Sequence, residues 1–157
     1  MTVKPIPDGY HSITPYLMIK GAAEAIEFYK QAFGAIEIFR LSHPNGQIGH
    51  AEIKIGDSSI MLADPCEQQG AFRTPQSLGG SSVALHIYVK DVDAQFAQAV
   101  SAGAKEIKPV LDQFYGDRTG TLKDPFGHIW FIATHKKDIS PEEISKRAKE
   151  LFQQSTV

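Results

Sequence analysis

Two histidines, a glutamate and a tyrosine stand at spacings that could bring them to one surface. His50 and Glu52 are two residues apart in the run Ile48–Ile55, and on a strand such a pair shares a face. Tyr16 lies in the run Ile13–Ile19, and His86 lies in the matching run Val83–Val89. Alternation puts Thr14, Tyr16 and Met18 on one face of the first run, and Ala84, His86 and Tyr88 on the corresponding face of the second. Imidazole titrates near neutral pH, so a histidine here suits proton transfer. A carboxylate two residues away on the same face can orient the ring or help to hold a cation. His50, Glu52 and His86 are therefore the candidate catalytic residues. Three readings stay open: a general base or substrate contact, a displaced metal site built from the three, and a polar sheet face whose groups bond only to one another.

A second dense segment is Asp112-Gln113-Phe114-Tyr115-Gly116-Asp117-Arg118. Loops carried on a rigid sheet often supply ligand contacts. Phe114 and Tyr115 offer apolar cover, and Arg118 offers a planar fork for a carboxylate or phosphonate oxygen. The competing reading is an Asp112/Asp117–Arg118 cluster that only fastens the loop. Asp124-Pro125-Phe126-Gly127 reads as a hairpin turn. Trp130 and Phe131 are on opposite faces, one toward a hollow and one under a helix. With Met61 and Tyr88, these residues complete a set of expected ligand contacts: Tyr16, Met61, Tyr88, Phe114, Tyr115, Arg118 and Phe131. No glycine-rich phosphate loop or nucleophile elbow occurs. The lone Cys66 reads as incidental and rules out an internal disulfide.

The elements that would position these groups come as a repeat. Residues 12–64 and 82–134 are two copies of one unit, about 70 positions apart. Each copy runs strand, helix, strand, strand, strand. The first has strands over 13–19, 36–41, 48–55 and 59–63, with the helix-like Ala22–Phe33 closed by Gly34. The second has a helix over 92–102, closed by Gly103, and strands over 83–89, 105–110, 118–123 and 128–134. Residues 64–81, rich in Gly, Gln, Ser and Pro, read as a linker or a lid. Ser140-Pro141-Glu142-Glu143 starts a last helix with an N-cap, a proline at the first position and acids in the first turn. Its stripe of Ile144, Ala148, Leu151 and Phe152 should dock on the body or on a second subunit.

The chain has 157 residues and a formal net charge of −2, with Lys and Arg scattered. No basic stripe favours nucleic acid or an anionic membrane. No apolar run approaches the ~20 residues of a membrane span, and no signal segment leads the chain. With a single cysteine, these features lead us to expect a cytoplasmic protein.

The paired units, with three segments, resemble the vicinal oxygen chelate superfamily of glyoxalase I, extradiol dioxygenases and bleomycin-resistance proteins, and within it the PhnB-like branch. The segments are Gly49-His50-Ala51-Glu52-Ile53-Lys54-Ile55-Gly56-Asp57, Asp112-Gln113-Phe114-Tyr115-Gly116-Asp117-Arg118-Thr119-Gly120, and Asp124-Pro125-Phe126-Gly127-His128-Ile129-Trp130. The resemblance implies an α+β fold over residues 10–137: two tandem βαβββ units forming a curled β-sheet cup with helices outside, and a helical extension over 138–157. It implies a small-molecule ligand and a homodimer. It also implies four metal positions, which fall on Thr14, Met61, Ala84 and Phe131. Ala and Phe cannot ligate, Thr is a poor ligand, and thioether sulfur is too soft for a hard divalent ion. The expectation is thus a cup that binds a small amphipathic molecule without the usual metal. The alternative is a glyoxalase-type lyase or isomerase using a divalent metal such as Zn on His50, Glu52 and His86.

Overall fold

The structure is a computed structural model that describes residues 2–66, 70 and 72–155. In chain order the elements are β1 (Tyr16–Met18), α1 (Ala22–Phe33), β2 (Ile36–Ser42), β3 (Ile48–Ile55), β4 (Ser58–Ala63), α2 (Pro75–Leu78), β5 (Ala84–Tyr88), α3 (Val92–Ala102), β6 (Lys105–Asp112), β7 (Asp117–Lys123), β8 (Ile129–His135) and α4 (Pro141–Gln154). They form two four-stranded mixed sheets of the same topology, β1-β4-β3-β2 (sheet A) and β5-β8-β7-β6 (sheet B). In each, the unit's first and last strands pair in parallel across the helical crossover. The α+β repeat expected from the sequence is the fold observed. None of the helices among the described residues is long and apolar enough to cross a membrane.

Local chemistry explains where the helices begin and end. The backbone N–H groups of Gly21 and Ala22 donate to the Asp64 carboxylate at the end of β4, 2.8 and 3.3 Å away. The equivalent place in the second unit is Thr134, whose Oγ1 accepts from Val92 N at 2.9 Å. Each last strand thus supplies an acceptor for the orphan donors of its own unit's helix. Asp91 adds an N-cap bond to Ala94 N. Gly34, with φ of 66°, closes α1 in the left-handed region that glycine adopts at no cost.

One apolar core serves both units. From α1 it takes Ala22, Ala25, Ile26, Tyr29 and Phe33, from sheet A Ala51, Ile53 and Leu62, and from the second unit Phe96, Leu122, Trp130 and Ile132. Phe33 lies 4.6 Å and Tyr29 5.5 Å, centroid to centroid, from the Trp130 ring. Beneath this cluster Asp124 is 3% exposed. Its Oδ2 accepts from Tyr29 Oη at 2.6 Å and from Trp130 Nε1 at 2.9 Å. Its Oδ1 accepts from Phe126 N at 2.9 Å and His128 N at 3.0 Å. Asp124-Pro125-Phe126-Gly127 is the expected turn, yet its first residue also bonds one unit to the other.

Several boundaries differ from the sequence expectation. β1 begins at Tyr16 rather than Ile13, because Pro15 has no N–H for the ladder. Ile13 therefore precedes the sheet and is 86% exposed. β6 runs to Asp112 and β7 begins at Asp117, so the gap expected between the strands over 105–110 and 118–123 shrinks to a tight turn around Gly116. The 64–81 linker contains the one-turn helix α2, capped by Thr74. Residues 67–69 and 71 of that linker, on which the lid expectation partly rests, lie outside the described residues. The stripe on α4 docks only partway: Ile144 and Ala148 are half-buried, while Leu151 and Phe152 are exposed.

Tyr29→Phe removes one donor from a buried carboxylate and should cost about 1–3 kcal/mol in urea unfolding, and Asp124→Asn about 2–4 kcal/mol. A midpoint unchanged in both variants would contradict the bridging role. His128 gives a pH dependence. It is buried, its Nε2 has no partner among the described residues, and burial holds its pKa below 6.5 despite the nearby Asp124 carboxylate and a hydrogen bond to the Met18 backbone. The unfolded chain takes up this proton first, so stability is full above 6.5 and declines as pH falls toward the folded pKa. His128→Gln should flatten this part of the stability–pH curve.

Candidate functional site

Strand register on sheet A builds the site. Tyr16 of β1 pairs with Met61 of β4, Met61 with Glu52 of β3, and Glu52 with Phe39 of β2. Paired residues share a face, so Tyr16, Met61, Glu52 and Phe39 form one row across the sheet. The opposite face (Ala51, Ile53, Leu62) is buried under α1, which leaves the row facing outward. His50 stands two residues before Glu52 on the same face.

These side chains bond to one another in a line. Tyr16 Oη is 2.7 Å from His50 Nδ1, and His50 Nε2 is 3.0 Å from Glu52 Oε1. Tyr10, from the N-terminal arm, donates its hydroxyl proton to Glu52 Oε2. The Tyr10 bond first, and the His50 bond second, hold the Glu52 carboxyl below its usual range against the opposing effect of burial. Conversely, Glu52 pushes the Tyr10 hydroxyl up to about 12. Burial, then the Glu52 charge, raises Tyr16. An ionised Glu52 only accepts, so His50 carries its proton on Nε2, and Nδ1 accepts from Tyr16. Phe72 stands edge-on to Tyr16 at 5.5 Å, and the Phe39 ring lies 6.4 Å from His50.

Of the expected site residues, the structure gathers Tyr16, His50, Glu52 and Met61. His86 does not join them. It lies on sheet B, its ring 4.9 Å from Tyr88 and 6.1 Å from Phe131. The expected convergence of His50, Glu52 and His86 is thus corrected to two separate faces. Sheet A and sheet B are distinct sheets, and alternation within a strand does not fix how two sheets face each other. Arg118 is also committed elsewhere. Its Nε and Nη2 each lie 2.8 Å from an Asp93 oxygen, and its Nη1 lies 3.2 Å from Asp112. This clamps β7 to α3. The ion cluster considered for this loop therefore forms, but with Asp93 in place of Asp117. Phe114 packs edge-on to Tyr115 at 5.3 Å, and its carbonyl accepts from Arg147 of α4.

Sheet B carries a bonded group that the sequence did not disclose. Asp117 accepts from Tyr88 Oη at 2.8 Å and bonds His135 Nδ1 at 2.7 Å, and His135 Nε2 is 2.9 Å from Asp138. Burial works to raise the Asp117 carboxyl, but the His135 and Tyr88 bonds outweigh it and keep it low. Asp138 first, then Asp117, raises the pKa of His135. With Tyr115, Ile139 and Ile144 these groups line a hollow of about 470 Å³. A larger cleft of about 990 Å³ lies between the units, floored by Phe33, Ile60, Leu85, Ile87 and Trp130. It is mostly apolar and holds none of the Tyr16–His50–Glu52 line. We place the candidate site on sheet A, where several polar groups converge.

The residues present do not fit the family's divalent ion. The four positions to which the resemblance assigns a metal, Thr14, Met61, Ala84 and Phe131, offer a hydroxyl, a thioether and two side chains without donor atoms. Among the described residues, no three His, Cys, Asp or Glu side chains are grouped to hold a cation.

Tyr10→Phe removes the largest influence on Glu52. Its carboxyl titration, followed by NMR, should move up toward 4.5, while the His50–Glu52 contact persists. No movement would place Tyr10 outside the line.

The comparisons with known proteins agree with this architecture. Residues 10–132 match the family model described as the glyoxalase/bleomycin resistance protein/dioxygenase superfamily. The chain is 41% identical over 135 residues to protein Rv0887c of Mycobacterium tuberculosis (strain ATCC 25618 / H37Rv), covering 85% of this chain and 79% of that one. The X-ray structure of the At5g48480 gene product of Arabidopsis thaliana superposes with a TM-score of 0.65 at 31% identity, covering 79% of this chain and 98% of that one. A PhnB protein from Bacillus cereus, described as a putative 3-demethylubiquinone-9 3-methyltransferase, shares the fold with a TM-score of 0.62 at 20% identity, covering 79% and 99% of the two chains. Matched over most of its length, and built of the paired βαβββ units described above, this chain belongs to the glyoxalase/bleomycin resistance protein/dioxygenase superfamily, also called the vicinal oxygen chelate superfamily.

Proposed function

We propose that this protein binds a small, flat, amphipathic molecule on the outward face of sheet A, and that it does so without a divalent metal. The observation that carries this is the row Tyr16–Met61–Glu52–Phe39, flanked by Phe72 and His50. Aromatic rings and a thioether provide an apolar bed, worth ~25 cal/mol for each Å² of ligand removed from water. The line from Tyr16 to Glu52 supplies the polar contacts that orient a ligand. The thioether of Met61 adapts to differently shaped partners.

A homodimer belongs to the same proposal. Ile36, Leu41 and Phe39 on β2, with Tyr88, Leu111 and Phe131 on sheet B, are large apolar residues left exposed. A second copy covering these faces would close the site and remove that surface from water.

Calorimetric titration with 5-nitroindole, a flat ring with one N–H donor, tests the binding. Saturable uptake by the wild-type protein should weaken about tenfold, or ~1.4 kcal/mol, in Phe72→Ala and in Met61→Ala. No uptake would overturn the reading. Elemental analysis of protein purified without chelator addresses the metal: a stoichiometric divalent ion that is lost in both His50→Ala and His86→Ala would overturn the metal-free site. Sedimentation equilibrium should return the mass of a dimer.

A further inference from the structure

Sheet A is also where the chain meets its own N-terminal arm, and one side chain makes most of that meeting. Residues 2–9 and 11–13 are exposed, and Tyr10 between them is half-buried. Pro7-Asp8-Gly9-Tyr10 closes a tight turn, with the Tyr10 N–H donating to the Pro7 carbonyl at 3.2 Å. The turn sets two groups on the outward face of the sheet. The Tyr10 hydroxyl donates to Glu52 Oε2, and the Gly9 carbonyl accepts from Ser59 Oγ at 3.2 Å. Ser59 pairs with Lys54, in the row next to Met61 and Glu52 on the same face. Beneath the arm Ser59 is 8% exposed, and the Glu52 side chain, although it faces outward, is 19% exposed. At the other end of the row, Phe72 of the linker stands against Tyr16. The row Tyr16–Met61–Glu52 is thus bracketed, by the linker at Tyr16 and by the arm at Glu52.

Tyr10 has the chemistry that the face is suited to hold. It is a flat ring ending in one uncharged donor, and it is aimed at a carboxylate that only accepts when ionised. We propose that the arm is a strap that closes the sheet A site, with Tyr10 as an internal stand-in for the ligand, and that the ligand enters by taking the place of Tyr10 on Glu52. This rests on the binding reading above and narrows its ligand to a planar molecule whose polar end is an uncharged O–H or N–H donor. A carboxylate or a bare carbonyl in that place would set acceptor against acceptor. Glu52 keeps lone pairs beyond its bonds to Tyr10 and His50, so the strap closes the site by covering it and not by using up the acceptor.

The arm is built to open. With one residue of 2–13 half-buried and the rest exposed, it buries little surface, and segments of that kind open at the low end of a protein's range. While the strap is down, only the open fraction takes up ligand, and the apparent affinity falls by that fraction. The strap therefore sets a threshold. A donor alone leaves it in place, whereas a molecule that also packs against Met61 and Phe72 displaces it.

Calorimetry with 5-nitroindole on the full chain separates the strap from the site. Tyr10→Ala leaves the row in place and should bind about tenfold more tightly than the wild type, the gain expected where the open arm is about a tenth of the population. Tyr10→Phe keeps the ring, loses the donor and should also bind more tightly. 1-Methyl-5-nitroindole lacks the N–H and should bind the wild type about tenfold more weakly than 5-nitroindole does. In protein labelled with 3-fluorotyrosine, the fluorine resonance that is lost in Tyr10→Phe reports the strap itself. Saturating 5-nitroindole should move that resonance toward the position of free 3-fluorotyrosine. Equal or weaker binding by Tyr10→Ala, or a resonance that stays in place at saturation, overturns the strap, while the uptake itself upholds the binding reading. Equal affinity for the methylated probe overturns the donor requirement and the exchange on Glu52 with it. No uptake by the wild type or by either variant sinks both readings.

Discussion

Within the apolar core that the two halves of this protein share, a buried carboxylate bonds one half to the other. Asp124 has four donors around it, and one of them, Tyr29, comes from the other repeat. A bare carboxylate in that position would be strongly disfavoured, but one with every oxygen satisfied is tolerated and directional. Around it lie Phe28, Tyr29, Phe33, Phe126 and Trp130, in edge-on and tilted contact. The aromatic cluster supplies non-directional attraction, and the carboxylate fixes which way the rings stand. Tyr29 shows how strongly the two are coupled. Burial first, and the Asp124 charge second, hold its hydroxyl well above the ordinary range, so it remains a donor.

The architecture was largely legible from the sequence because it rests on local periodicity. Alternation in Leu17–Ile19, Ala51–Ile55 and Leu85–Val89, and helical spacing from Ala22 to Phe33, set the elements and their buried faces. The repeat then set their order. What the sequence concealed was contact at a distance. The Asp124 turn reads as a turn because its local residues demand one, and nothing nearby announces that Tyr29 will reach it from 95 positions away. The caps show the same limit. Asp64 and Thr134 differ in type, yet each receives the first helical N–H groups of its own unit. Function is repeated there without identity of residue.

The candidate site was half legible for a related reason. Tyr16, His50 and Glu52 lie within one sheet, where period-two alternation and hairpin register carry the reasoning from strand to strand. His86 was assigned to the same face by analogy between the units, and analogy does not specify how two separate sheets are disposed. Arg118 was read with its sequence neighbours, although its bidentate partner is Asp93 on a helix 25 positions earlier. Tyr10 carries no sequence signal, because an extended arm of prolines and glycine has no periodicity. Its hydroxyl nonetheless decides the state of Glu52.

Gly116 has φ of +104°, and a β-carbon there would stand 2.2 Å from the Lys137 carbonyl oxygen. The Gly116 carbonyl itself receives the N–H groups of both Lys136 and Lys137. The tail that leads into α4 is thus laced to the body through main-chain atoms, while α4 buries no side chain of its own. Its heading is set at the root, before the helix begins. Outside Ile144, Arg147 and Ala148, the surface of α4 is correspondingly free to drift in evolution without the helix losing its direction, whereas Gly116, 25 positions upstream of its first turn, cannot drift with it.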